Sequence, residues 1–325
     1  MKGAQTIASQ PAARERVRSN LTTVGPIILA IVIIAGFQVI NPTFLSYNGI
    51  ITLVYAMSYF LIAACGLTFV IMTGSFDFSV ISILKLAALL SVLYVDQLGL
   101  WVVPLALLVG VGIGFANGLL VARFKVPSFM ATLGVSVVVE GIALYLSKGF
   151  LLIMDNETFR GLATTFIAGL PSIFYWAMAV WILSTFIALV TPFGRRIYAV
   201  GGNPTSAGLS GINVARYRIY VFMLSGFLAG LAGVLYMANW GGGSIQLGAD
   251  AAIPLFASVV AGGTALTGGV GGPHRTLLGV IIITWIQAGL LMLGVGRDIQ
   301  MVTFGIIALV MSIATIDRRR IKFIK

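Results

Sequence analysis

The sequence predicts an all-α polytopic membrane protein of about ten transmembrane helices with an inverted internal repeat. Three observations lead there. Runs of roughly 20 apolar residues, the length at which a helix crosses a bilayer, recur along nearly the whole chain. Of its 325 residues 59% are hydrophobic and only 9% charged, at a mean hydropathy of +1.06, where soluble domains carry about 25% charged residues. The basic residues, finally, fall almost entirely on one side once the runs are counted as spans. No stretch is long or polar enough to form a separate soluble domain.

Residues 1–23 are polar and basic, and the first apolar run follows without a small-residue cleavage site. They read as a cytoplasmic N-terminal segment ahead of an uncleaved first span. Hydropathy then places spans near 24–40, 51–73, 79–95, 100–122, 129–147, 171–191, 217–238, 253–272, 276–295 and 299–316, and residues 317–325 form a basic tail. The breaks carry turn residues: Asn41-Pro42, Gly74, Val126-Pro127, Gly169 to Pro171, Pro192 and Gly241-Gly242-Gly243. With the N-terminus inside, sixteen of the twenty Lys and Arg are cytoplasmic, only Lys148, Arg160 and Arg297 are outside, and Lys85 lies within a span. Both termini are therefore expected in the cytoplasm. The net charge of +11 is topological and does not point to a nucleic-acid partner.

Gly118-Leu119-Leu120 with Met130, Thr132 and Gly134 recurs as Gly289-Leu290-Leu291 with Met301, Thr303 and Gly305, at one offset of 171 residues. Copies of five spans each have opposite orientation in the bilayer, and inverted repeats commonly build a transport path at their interface. Small residues at helical spacing (Gly110, Gly114, Gly118, then Gly226, Gly230, Gly233) suit close packing of helices in lipid.

Catalytic chemistry finds no set of residues. No Gly-Lys pair exists to form a phosphate loop, Cys65 is the only cysteine and His274 the only histidine, so thiolate metal sites and histidine clusters are excluded. No cofactor is implied. Ionisable residues at membrane depth are more informative, because each is costly unless paired or hydrated. Asp77, in Thr73-Gly74-Ser75-Phe76-Asp77-Phe78-Ser79, reads as a cap ordering the turn before the third span or, alternatively, as a proton site. Lys85 is expected to snorkel to the inner surface. Glu140, inside the fifth span, reads either as a helix-packing residue or as a cavity-facing one.

The longest inner segment, 192–216, includes FGRRIYAVGGNPTSAGLSG, polar and basic between two apolar runs. Its second half reads as a short helix. Asn203 is a good N-cap, Pro204 suits the first helical position and Gly211 supplies a stop. Thr205, Ser206, Ala207, Gly208 and Ser210 between them are small, leaving the backbone open to a partner, with Ala207 and Gly208 at the closest contact and Leu209 at the end. The plainer reading is an inter-span loop with one capped turn.

Four passages resemble the membrane permease subunit of bacterial ABC importers of the ribose/monosaccharide type. These are Gly66 through Ser82, similar to that family's Gly-Gly-Ile-Asp-Leu-Ser-Val-Gly-Ser motif; Asn117 through Gly134; Phe193 through Val214; and Gly262 to Gly279, continuing through Gln287 and Gly289. Ser75 and Ile81 stand where the motif has glycine, and Thr205, Ser206 and Gly208 replace a commoner Glu-Ala-Ala-Arg pattern. The resemblance implies a non-enzymatic subunit of the bacterial inner membrane that forms a sugar pathway from two permease copies (a homodimer or two similar chains) embedded in membrane lipid. Separate ABC ATPase subunits would hydrolyse ATP, and an extracytoplasmic solute-binding protein would deliver the solute. It makes residues 24–316 the permease domain and Asn203 to Gly211 the coupling helix that docks on the ATPase. Asp77, Asn117, Thr132, Glu140 and Gln287 become candidates for the pathway or for structural turns. The alternatives are a permease of the same superfamily for a branched-chain amino acid or signal molecule, and an ion-coupled secondary transporter.

Overall fold

A computed structural model describes residues 28, 30–243 and 251–315; the basic N-terminal segment 1–23 and the tail 317–325 lie outside the described residues. The fold is all-α and polytopic. In order come α1 (Ala30–Ile40), α2 (Tyr47–Met72), α3 (Val80–Leu98), α4 (Val102–Ala122), α5 (Ser128–Ser147), α6 (Glu157–Thr164), α7 (Ser172–Val190), α8 (Pro192–Gly202), α9 (Pro204–Leu209), α10 (Val214–Trp240), α11 (Ala252–Ala261), α12 (Pro273–Met292) and α13 (Arg297–Thr315). Among the described residues four two-residue strands pair at the loops, β1 (Leu152–Ile153) with β4 (Gly242–Gly243) and β2 (Phe166–Ile167) with β3 (Leu170–Pro171).

Among the described residues, six segments are long and apolar enough to cross a membrane: α2, α5, α7, α10, α12 and Val80–Ala122. The last is α3 and α4 joined by a 3-10 turn at Gly99–Trp101, where Gly99 takes a positive φ of 56° and the two helices fold against each other. Three further apolar helices, Ala30–Ile40, Ala252–Ala261 and Asp298–Ile307, are shorter as described.

The run expected to span 253–272 is instead the ten-residue α11 followed by an irregular loop. Gly263, Gly268, Gly269, Gly271 and Gly272 all adopt positive φ, which a right-handed helix does not allow, so the helix ends at Ala261. Hydropathy does not see this, since Ala, Val and Leu keep the average high across the glycines.

α2 and α10 are apolar on all sides and form the centre, as expected of helices buried all round. α4, α5 and α7 bury one face and expose Leu108, Val137, Val138 and Ile182 on the other. The glycine stripe of α4 seats directly on α10. A Cβ on Gly110 would lie 2.3 Å from the Gly226 carbonyl oxygen, and one on Gly114 would lie 2.2 Å from that of Phe222. Backbones in this contact meet without side chains between them, the packing that small residues permit in lipid. Gly226→Ala should therefore destabilise the purified permease by about 1–3 kcal/mol through overpacking. Gly230→Ala, whose Cβ would stand 3.2 Å from its nearest neighbour, should cost far less. Thermal unfolding in detergent compares the two.

Candidate functional site

The polar segment 192–216 is built from two capped helices. The Thr191 side chain accepts the Gly194 N–H (3.3 Å) ahead of Pro192, and the Asn203 side chain accepts the Ser206 N–H (3.0 Å) ahead of Pro204. The sequence reading anticipated only the second helix, although Thr191-Pro192 repeats the same cap-then-proline pattern. α9 ends in a Schellman motif: the Gly211 N–H bonds the Gly208 carbonyl and the Ile212 N–H bonds that of Ala207, both at 3.0 Å, with Gly211 at φ 82°. Thr205, Ser206, Gly208 and Leu209 are exposed, Leu209 at 87%. Ala207 is not. It is 4% exposed and faces the protein's own α8 and α10, which corrects the expectation that it meets a partner.

Immediately before α9, the backbone meets two other breaks in the fold. A Cβ on Gly201 would lie 1.8 Å from the Met72 carbonyl oxygen at the end of α2, and one on Gly268 would lie 2.6 Å from the Gly74 nitrogen. The Gly269 N–H bonds that same Met72 carbonyl at 2.9 Å, filling an acceptor that the helix end leaves open. The loop that carries Gly268 and Gly269 is pinned further by Tyr198, whose hydroxyl donates to the Gly271 carbonyl (2.6 Å), and by the Trp181 indole N–H, which donates to Pro273 (2.9 Å). Burial pushes the Tyr198 phenol above its ordinary value, against the Arg275 cation that pulls it down.

From Met72 the chain enters the irregular segment Thr73–Ser79. Asp77 is fully enclosed, at 1% exposure. Its Oδ1 accepts the Ser79 N–H (3.0 Å) and the Ser79 hydroxyl (2.6 Å), and its Oδ2 accepts the Ser225 hydroxyl of α10 (2.8 Å). Asn117 of α4 donates to the Ser79 hydroxyl oxygen at 2.7 Å. From α5, Ser128 accepts the Phe76 N–H (3.0 Å) and Thr132 accepts the Phe78 N–H (3.1 Å). Asp77, Asn117 and Thr132 thus belong to one network that holds a broken stretch of backbone. Ser79 occupies the N-cap position of α3, and Asp77 braces it from two residues earlier. The Ser225 and Ser128 contributions, 148 and 52 residues distant from their partners, have no signal in the sequence.

Glu140 stands apart from that network. Its Oε1 pairs with Lys85 Nζ at 2.9 Å, joining α3 and α5. Lys85 therefore does not snorkel: its ammonium is held inside the protein by a carboxylate, a cheaper solution at membrane depth than reaching an interface. Gln287 of α12 is exposed and lies, with Lys85, on the wall of a cavity between α2, α3, α10, α11, α12 and α13.

Asp77→Ala should leave three donors unanswered and destabilise the protein by about 1–3 kcal/mol, while Asp77→Asn keeps an acceptor toward Ser79 and should cost less. Melting temperature and uptake measured on both variants check the order.

The branched-chain amino acid transport system / permease component family matches residues 49–314. The chain is 34% identical over 293 residues to the ribose import permease protein RbsC of Haemophilus influenzae, covering 88% of this chain and 91% of that protein. It is 36% identical over 310 residues to the probable ABC transporter permease protein YphD of Escherichia coli, covering 93% and 92%. Identity to the L-arabinose transport system permease protein AraH of Escherichia coli is 28% over 294 residues, 88% of each chain. No solved structure matches. With its apolar helices and a match of this extent, the chain belongs to the branched-chain amino acid transport system / permease component family and is a multi-pass ABC transporter permease, a transport subunit and not an enzyme.

Proposed function

We propose that the chain forms the translocation pathway of an ABC importer for a monosaccharide or a closely related polar solute. The observation that carries this is the near full-length similarity to permeases named for ribose and arabinose. Energy comes from ABC ATPase subunits that dock on α9, and an extracytoplasmic binding protein delivers the solute at the opposite face. A second permease copy completes the pathway within the lipid. In this reading residues 24–316 are the permease domain with 192–216 as its coupling segment, and both termini are cytoplasmic because sixteen of twenty basic residues then lie inside. The half-exposed face of Glu140 opens toward the pathway or the second copy, since a carboxylate turned to lipid is costly.

The inverted repeat belongs to the same proposal. It is supported by the helix starts at Val102 (α4) and Pro273 (α12), which lie at the offset of the repeated Gly-Leu-Leu passages. A second reading, import of a branched-chain amino acid, takes its support from the description of the family. Uptake by the reconstituted permease with its ATPase, run over a panel of pentoses, hexoses and branched-chain amino acids, decides between them.

Docking on α9 is tested by bulk. A Cβ on Gly208 meets nothing within 4 Å, so Gly208→Trp is accommodated by the fold itself. It should abolish co-purification of the ATPase while permease abundance in the membrane stays normal. Retained docking with coupled uptake would place the ATPase contact elsewhere. For orientation, single cysteines near residues 10 and 322 should react with an impermeant reagent only after permeabilisation.

A further inference from the structure

We infer that the cluster of arginine and aromatic side chains where α7 passes into α8 and α10 begins is a binding site for the headgroup of an anionic phospholipid. This goes beyond the transport reading and does not depend on which solute is carried. Four arginines stand at the ends of two spans: Arg195 and Arg196 just after α7, Arg216 and Arg218 in the first turns of α10. Basic residues grouped at the end of a membrane helix attract anionic lipid, each strengthening the attraction about fivefold. Basic charge on one side of a membrane also sets topology, so the count alone marks no site. The arrangement does.

Phe193 of α8 and Tyr217 and Tyr220 of α10 form a group of three rings. Their centroids lie 5.7 Å (Phe193–Tyr217), 6.1 Å (Tyr217–Tyr220) and 6.5 Å (Phe193–Tyr220) apart. Arg196 donates from Nη1 to the Tyr217 hydroxyl at 2.5 Å, which holds an otherwise exposed guanidinium against the rings. That bond takes one of five N–H groups, and the planar fork suits two oxygens of a phosphate. Arg195, also exposed, folds back to the Val190 carbonyl at the end of α7 (2.9 Å). Arg216 is exposed one helical turn before Tyr220, on the same face of α10. Long side chains on a surface ordinarily move freely; two of these are held in place by hydrogen bonds.

What adjoins the cluster favours a lipid over a soluble anion or an acidic protein. α7 exposes Phe186, Leu189 and Val190 up to the very residue whose carbonyl Arg195 bonds. On α10 the face that carries Arg216 continues through Tyr220, 44% exposed, to Phe227, 37% exposed. Charge, then phenol, then hydrocarbon is the order in which a bilayer presents headgroup, interface and acyl chain. A free phosphate has no use for the apolar part, and a water-soluble partner leaves it uncovered. Because Arg196 precedes α9 and Arg216 follows it, a headgroup bound to both ties the two ends of the polar segment to the membrane surface.

The test titrates lipid into the purified full-length permease in a neutral detergent and follows its melting temperature, which a ligand of the folded state raises. Dioctanoyl phosphatidylglycerol should raise it saturably; dioctanoyl phosphatidylcholine, with the same chains and no net charge, should not. Arg196→Gln should increase the half-saturating phosphatidylglycerol concentration about five- to tenfold. Tyr217→Phe removes no charge, only the hydroxyl that orients Arg196, and should increase it about threefold. Lys148→Gln removes an exposed charge at the close of α5, roughly 30 Å along that helix from its start, and should leave it unchanged. Melting temperatures without lipid report the folding of each variant separately. Equal stabilisation by the two lipids, or wild-type half-saturation in either Arg196→Gln or Tyr217→Phe, overturns the inference. So does equal weakening by Lys148→Gln, which makes the attraction one of net charge. Saturation by inorganic phosphate at the same concentration overturns the assignment to lipid in favour of a soluble anion. Loss of ATPase co-purification in Arg196→Gln with lipid binding intact overturns it in favour of a protein contact. None of these outcomes bears on the transported solute, which the uptake panel decides.

Discussion

Backbone that leaves a helix at membrane depth has no water to bond, and this constraint organises the protein. Each peptide N–H or carbonyl left bare in hydrocarbon costs several kcal/mol, so irregular backbone survives only where the protein itself answers it. Thr73–Ser79 and the loop after α11 are two irregular stretches among the described residues whose backbone is answered in this way. The first is answered by side chains: Ser128 and Thr132 take the Phe76 and Phe78 amides, and Asp77 takes that of Ser79. The second is answered largely by main chain and by Thr264, with the Gly269 amide on Met72 and the Gly272 amide on the Thr264 hydroxyl. The Asp77 carboxylate is tolerated in a dry interior because its two oxygens collect three donors from Ser79 and Ser225.

These two stretches also touch the polar segment 192–216. Gly201 stands against Met72, Gly268 against Gly74, and Gly269 against Gly202. No side chain intervenes at any of the three, so rotamer changes have no part in adjusting the junction. The end of α8, the break after α2 and the loop before α12 are thereby held in one position. One turn further on, α9 presents Leu209 and Gly208 outward on a helix of six residues, too short to be stable alone and fixed here by a cap at one end and a Schellman motif at the other.

The parts of this that were legible in the sequence are those carried by local signals. Asn203-Pro204 with Gly211 marks α9 because capping is a matter of adjacent residues, and the apolar runs mark the long helices because burial in lipid needs little else. Two kinds of feature were not legible. The run 253–272 reads as a span because an average over 19 residues hides glycines that break it, whereas the backbone responds to each glycine singly. The partners of Asp77 and Lys85 lie on other helices, and nothing in the vicinity of position 77 or 85 names Ser225 or Glu140. Ala207 was misjudged for a related reason. Its small size was taken as room for a partner, but on a helix this short one face must turn inward, and the Asn203 cap and the Gly211 turn fix which.

The ionisable groups of the interior are resolved by two different means, and together they set the character of the space they enclose. Asp77 is dispersed among neutral donors and lies outside the cavity lining; Lys85 lies on that lining and is cancelled by Glu140. Leaving either group uncompensated would create a fixed field in a region of low dielectric, where Coulomb interactions are several times stronger than in water. A charged solute passing such a field would be trapped or repelled. With these charges paired off among the described residues, the interior around α2, α3 and α10 presents dipoles and aromatic surface in place of a fixed field.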